Sequence, residues 1–157
     1  MANSKGDFIK QLDQLDQTLE EYFLKKAPFQ LPENVREIIV LIVPYLNVIG
    51  VVIGALGIVT ALGVTAVFAP LVALAGAVAP STTILSLVAL GFSVVVIVCD
   101  GLAIPGLFNK TKQGWKYVWY AGLISTLSFI VTMNIIGGIF GFVVGMYILY
   151  QVKSHYK

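Results

Sequence analysis

The sequence predicts an all-α integral membrane protein: a four-helix bundle made of two helical hairpins, preceded by an amphipathic helix on the cytoplasmic side. Two long uncharged runs and the placement of the basic residues carry this expectation. Residues 38–99 contain no Asp, Glu, Lys or Arg, and neither do residues 117–152. A helix crosses the roughly 30 Å hydrocarbon core with about 20 residues. Each run is therefore too long for one crossing and is expected to make two. Of the 157 residues, 58% are hydrophobic and 11% charged, against about a quarter charged in soluble domains. A soluble fold of this size has too little interior to hide that much apolar surface.

From the N-terminus, residues 1–34 form a first unit. Phe8, Leu12, Leu15, Leu19 and Tyr22 recur at helical spacing, with Phe23 beside them, and predict a packing stripe on one face of a helix over residues 7–26. Asp7, Lys10, Asp13, Asp16, Glu20 and Glu21 are expected on the opposite face. Residues 5–26 hold four lysines and five acids, a balance that favours packing on protein over binding to anionic lipid. Docking on the chain's own membrane domain is the favoured outcome, ahead of self-association. Met1 to Lys26 lacks the apolar core of a cleavable signal peptide, so the first hydrophobic segment is expected to direct insertion. Pro28 and Pro32 end the helix and form a short linker.

Residues 35–157 form the membrane domain, with spans expected at about 35–61, 81–104, 117–133 and 135–152. Residues 64–80, with Pro70 and Pro80, read as an irregular or interfacial connector. Pro105 and Gly106 are expected to stop the second span, and a tight turn near 132–134 divides the second run. Lys25, Lys26 and Arg36 precede span one, Lys110, Lys112 and Lys116 separate spans two and three, and Lys153 and Lys157 follow span four. The two opposite connectors carry no basic residue. Four spans with both termini cytoplasmic satisfy the positive-inside rule throughout, and a third helix within residues 38–99 would break it. Phe108, Trp115, Tyr117, Trp119, Tyr120, Tyr147, Tyr150 and Tyr156 gather near the same interface and read as an anchoring belt.

Several features inside the spans are candidates for function. Gly50 and Gly54, and again Gly137, Gly141 and Gly145, repeat every four residues; such smooth faces allow close helix packing in lipid. Packing within the chain is favoured over packing between copies. Asp100, the only acidic residue well inside any expected span, lies about 9 Å inside if the span ends at Gly106. An intramembrane carboxyl is costly, so Asp100 is a candidate proton or cation site, or a structural partner of Lys110 or Lys112. Pro44 can kink span one, while Asn47 and Asn134 can hydrogen-bond between helices.

Enzyme chemistry finds little support. His155 is the only histidine and lies beyond the last span, Cys99 is the only cysteine, and no phosphate-binding glycine motif is present. No catalytic residue, metal or cofactor is expected, and no nucleic-acid partner. The segments LEEYFLKKAPFQLPENVREIIV, CDGLAIPGLFNKTKQGWKYVWYAGLIS and YILYQVKSHYK together resemble a group of small four-span membrane proteins from candidate-phylum bacteria. The resemblance implies the four-span layout and brings no activity with it. The sequence therefore leads to a non-enzymatic inner-membrane accessory, scaffold or assembly subunit, with the lipid bilayer and a protein partner or a second copy as its contacts. A small oligomeric channel or transporter using Asp100 is the alternative.

Overall fold

The protein is described by a computed structural model covering residues 2–27, 29–74, 80–133 and 135–157. Helix α1 (Ala2–Glu20) continues into a π-helical turn, Glu21–Lys25, and is followed by α2 (Glu33–Leu74), α3 (Pro80–Phe108), α4 (Lys112–Val131) and α5 (Ile135–Gln151). A 3-10 turn, Lys153–His155, closes the chain. All regular structure among the described residues is helical. Among the described residues three stretches are long and apolar enough to cross a membrane: Glu33–Val64, Leu85–Phe108 and Ile135–His155. Helix α4 has 20 residues but is more polar, because Trp115, Lys116, Tyr117, Trp119 and Tyr120 fill its first half.

Helix α2 corrects the expectation of an irregular connector after residue 63. It spans 42 residues without a break, about 63 Å at 1.5 Å per residue. Pro44 and Pro70 both lie within it. An apolar segment that leaves helix loses backbone hydrogen bonds that lipid cannot replace, whereas a proline removes only one such bond. Residues 75–79 of the expected connector lie outside the described residues, as do Pro28 and Asn134. Pro105 likewise fails to stop α3, which runs on to Phe108.

The real end of α3 is set by the turn that follows. Lys110 adopts a left-handed conformation (φ 52°), and Thr111 then caps α4 by accepting a hydrogen bond from Gly114 N at 3.3 Å. Thr111 N donates in turn to Gly106 O at 2.8 Å. This reversal starts α4 at Lys112, five residues earlier than the expected span. It also lays Gly106 directly on Gly114. A Cβ built on Gly106 would sit 2.5 Å from Gly114 Cα, so only a glycine pair lets the two backbones approach this closely. The other hairpin turns at Thr132 and Met133 (φ 59°). Gly138 of α5 meets Phe129 there, and a Cβ on it would lie 2.6 Å from that ring's Cβ.

The helices pack in chain order: α2 on α3, α3 on α4 and α4 on α5. Their common core sits at one end. Val40 near the start of α2, Leu107 at the end of α3, Trp115 and Trp119 in α4, and Tyr150, Val152 and Tyr156 at the C-terminus are all buried. Two hydrogen bonds pin the C-terminus to the α3–α4 turn: Lys157 N to Lys110 O (2.8 Å) and Lys112 N to Lys157 O (3.0 Å). Basic residues of α2, the turn and the tail therefore gather at the same end. Farther along, the helices turn outward. Only 11% of the apolar window of α2 and 6% of that of α3 is buried within the chain.

Candidate functional site

Two arrangements stand out, a polar latch at the core end and a pair of grooves along the helices. The latch begins with the last carbonyls of α5, which lack partners within the helix. Trp115 Nε1 donates to one of them, Leu149 O, at 2.9 Å. Trp119 Nε1 donates to Tyr150 Oη (2.8 Å), and Tyr150 Oη donates to Asp16 Oδ1 (2.7 Å). Lys153 Nζ bridges Asp16 (2.9 Å) and Glu20 (2.8 Å) while lying 4.7 Å from the centre of the Trp115 ring. Phe23 stacks on Tyr150 with ring centroids 6.0 Å apart.

Gln151, fully buried, extends the latch to the linker. Its amide nitrogen donates to Phe23 O at 3.1 Å, and its oxygen accepts from Arg36 Nη2 at 2.9 Å and Leu31 N at 3.3 Å. Tyr147 Oη donates to Phe29 O at 2.7 Å. The N-terminal segment is thus fastened to the end of α5 by side chains whose hydrogen-bonding capacity is used across the interface. Burial leaves the Tyr156 hydroxyl without a hydrogen-bond partner and raises its pKa above the ordinary phenol value.

This docking divides the expected stripe. Leu12, Leu19, Phe23 and Leu24 pack on the core, whereas Phe8, Leu15 and Tyr22 stay exposed. Asp16 and Glu20, expected on the outward face, instead point to Lys153. Lys153 sits between the two carboxylates and beside the Trp115 ring, and its attraction for them favours this register. The aromatic belt is also corrected. Trp115, Trp119, Tyr150 and Tyr156 are buried core rather than exposed anchors, while Phe108 remains 46% exposed.

Asp100 faces a groove of about 500 Å³ between α2, α3 and α4, which Gly50, Gly54, Gly57, Ser93, Ser125 and Phe129 help to line. Asn47 Nδ2 donates to Asp100 Oδ1 at 3.3 Å, tying α2 to α3. Asn47 Oδ1 is buried and has no partner. The expected pairing of Asp100 with Lys110 or Lys112 does not form. Lys110 lies in the turn beyond Phe108 and Lys112 begins α4, and the ion pairs of the described residues join other groups.

The glycine stripes behave unequally. Gly54 packs on Ile97, whose Cδ1 would lie 2.9 Å from an added Cβ. Gly50, Gly141 and Gly145 meet no atom within 4 Å, and Gly137 is exposed. The expectation that the α5 stripe packs within the chain is therefore corrected. Gly138, Gly141 and Gly145 instead form part of a second groove, about 360 Å³ and almost wholly apolar, between α4 and α5. Ser125 and Phe129 line both grooves, so the two flank α4.

The contacts that most tightly define the fold, Gly106 on Gly114 and the Lys153 and Gln151 latch, are absent from the sequence-derived candidates. A signal existed for each: two glycines bracket the short turn, and a glutamine and a lysine immediately follow the last apolar stretch. No protein family, curated protein or solved structure matches the chain.

Proposed function

We propose that this chain is a non-enzymatic, four-span subunit of a bacterial inner membrane, with both termini cytoplasmic, that works by helix contacts within the bilayer, first with copies of itself. The observation that carries the reading is the open groove between α4 and α5. Gly141 and Gly145 offer a smooth face that none of the described residues fills, beside helices whose apolar surface is mostly turned outward. Close backbone approach on such faces is a main source of helix association in lipid. A stripe on one helix can also meet its own copy across a two-fold axis. The latch engages Leu12, Leu19 and Phe23 of the N-terminal segment, and most of the exposed apolar side chains lie on the long helices.

The short turns on either side of α4 support a fourth span. Helix α4 joins the end of α3 to the start of α5 while packing along both. If α3 and α5 both cross, α4 returns between them. The gathering of basic residues at the latch end supports a cytoplasmic placement of that end.

A direct test places Gly141→Cys in a Cys99→Ser background and oxidises native membranes. Gly141→Cys should give a disulfide-linked dimer, whereas Leu102→Cys, on exposed α3 surface, should not. Equal cross-linking at both positions, or none at either, would contradict assembly through α5. Gly141→Leu should weaken association while leaving the thermal stability of the single chain nearly unchanged, because a Cβ added there meets no described atom within 4 Å and the open groove beside it leaves room for the rest of the side chain.

A second reading, a small oligomeric channel or transporter, is favoured by one observation. Asp100 and Ser93 of α3 and Ser125 and Ser128 of α4 line the same groove, placing the polar side chains of two helices on one face.

A further inference from the structure

We propose that the Asp100 groove binds a lipophilic organic cation drawn from the bilayer, with the Asp100 carboxylate as its counter-ion. This deepens the channel or transporter reading by naming a ligand class, and it is independent of assembly through α5. Charged side chains within spans almost always have a partner. Asp100 has only the neutral amide of Asn47, at 3.3 Å. The Lys, Arg and His ion pairs among the described residues are all made elsewhere. The carboxylate's charge is thus left for something outside the chain to balance.

The groove's shape and lining select among cations. Its volume, about 500 Å³, falls in the range that holds drug-sized molecules. Glycines on α2 keep it open: a Cβ on Gly50 or Gly57 would meet nothing within 4 Å. Phe92 and Phe129 add aromatic faces to the wall, and such faces attract organic cations. A divalent metal ion needs a closed shell of donors. Among the described residues no group of three His, Cys, Asp or Glu could supply one. An anion would meet the carboxylate's repulsion. An apolar body with one delocalised positive charge satisfies both the wall and Asp100.

The test uses the full chain in mild detergent, tetraphenylphosphonium as the probe and tetraphenylborate as an anion of matching shape, with binding read by equilibrium dialysis. Saturable binding of the cation, near one per chain, and none of the anion is expected. Asp100→Asn should weaken cation binding about tenfold or more, the scale of losing one charged contact, while Asp100→Glu should largely keep it. If Asp100→Asn does not yield folded protein, Gly57→Leu decides. A Cβ at Gly57 meets no described atom within 4 Å and the residue lines the groove, so the variant should fold normally while blocking it. No saturable binding by the native chain, binding by Asp100→Asn equal to native, or undiminished binding by Gly57→Leu would each overturn the proposal. Particle mass measured on the same samples keeps the two ideas separate: a monomer that binds the cation contradicts only assembly.

Discussion

Gly114→Val should leave little folded protein, and even Gly114→Ala should unfold markedly earlier than the native chain. A Cβ at this position would lie 2.4 Å from the carbonyl carbon of Gly106 and 2.6 Å from Leu107 N. Both are backbone atoms, so no rotamer change relieves the contact and the α3–α4 turn must open. Overpacking of a tight contact costs about 1–3 kcal/mol, sometimes more. Against this stands the gain of replacing a helical glycine with alanine, about 0.5–1 kcal/mol. At Gly114 the clash wins. At Gly145, where nothing lies within 4 Å, the propensity gain stands alone, and Gly145→Ala should be neutral or slightly stabilising. Thermal unfolding of the two variants, followed by loss of helical signal in one detergent, checks the opposite signs. An unchanged midpoint for Gly114→Ala would show that the glycine contact is not what sets the α3–α4 approach.

Lys153→Met should release the N-terminal helix without unfolding the spans. The substitution keeps an apolar stem against Trp115 but removes the ammonium that holds Asp16 and Glu20 together at 2.9 and 2.8 Å. Hydrogen bonds to charged groups contribute about 1.5–3 kcal/mol each when shielded, and exposed pairs about 0–1 kcal/mol. With Lys153 and Asp16 about a quarter and a fifth exposed, an intermediate loss of about 1–3 kcal/mol is expected for the docked helix. Without the lysine the two carboxylates also repel each other. Amide hydrogen exchange should therefore speed up across residues 6–25 and stay slow in α3 and α4. Protection of α1 equal to that of the native chain would mean that Phe23, Leu19 and Gln151 hold the helix unaided.

The helical class and the presence of helices long and apolar enough to cross a membrane were legible because both rest on local signals, the lengths of uncharged runs and their composition. Helix ends were less so. Proline reads as a stop in water, but Pro44, Pro70 and Pro105 all lie inside helices, since leaving the helix in an apolar phase exposes more backbone than a proline removes. The packing stripe illustrates a different limit. Leu12 and Leu19 were assigned to the right face, yet the rotation that turns Phe8 and Leu15 outward and Asp16 inward depends on Lys153, more than 130 positions away. No local period encodes that pairing. Asp100 was visible as an isolated carboxyl, but its Asn47 contact and its groove emerge only from the approach of α2 to α3.

The central claim is that the membrane surface of one chain is completed by another through α5. Light scattering of the purified protein, in mild detergent and in lipid nanodiscs, measures this most directly. The account predicts a protein mass at least twice the 16.9 kDa of one chain, falling to the single-chain value for Gly141→Leu. A native chain of 16.9 kDa in both environments, or a Gly141→Leu variant with the native mass, would contradict it.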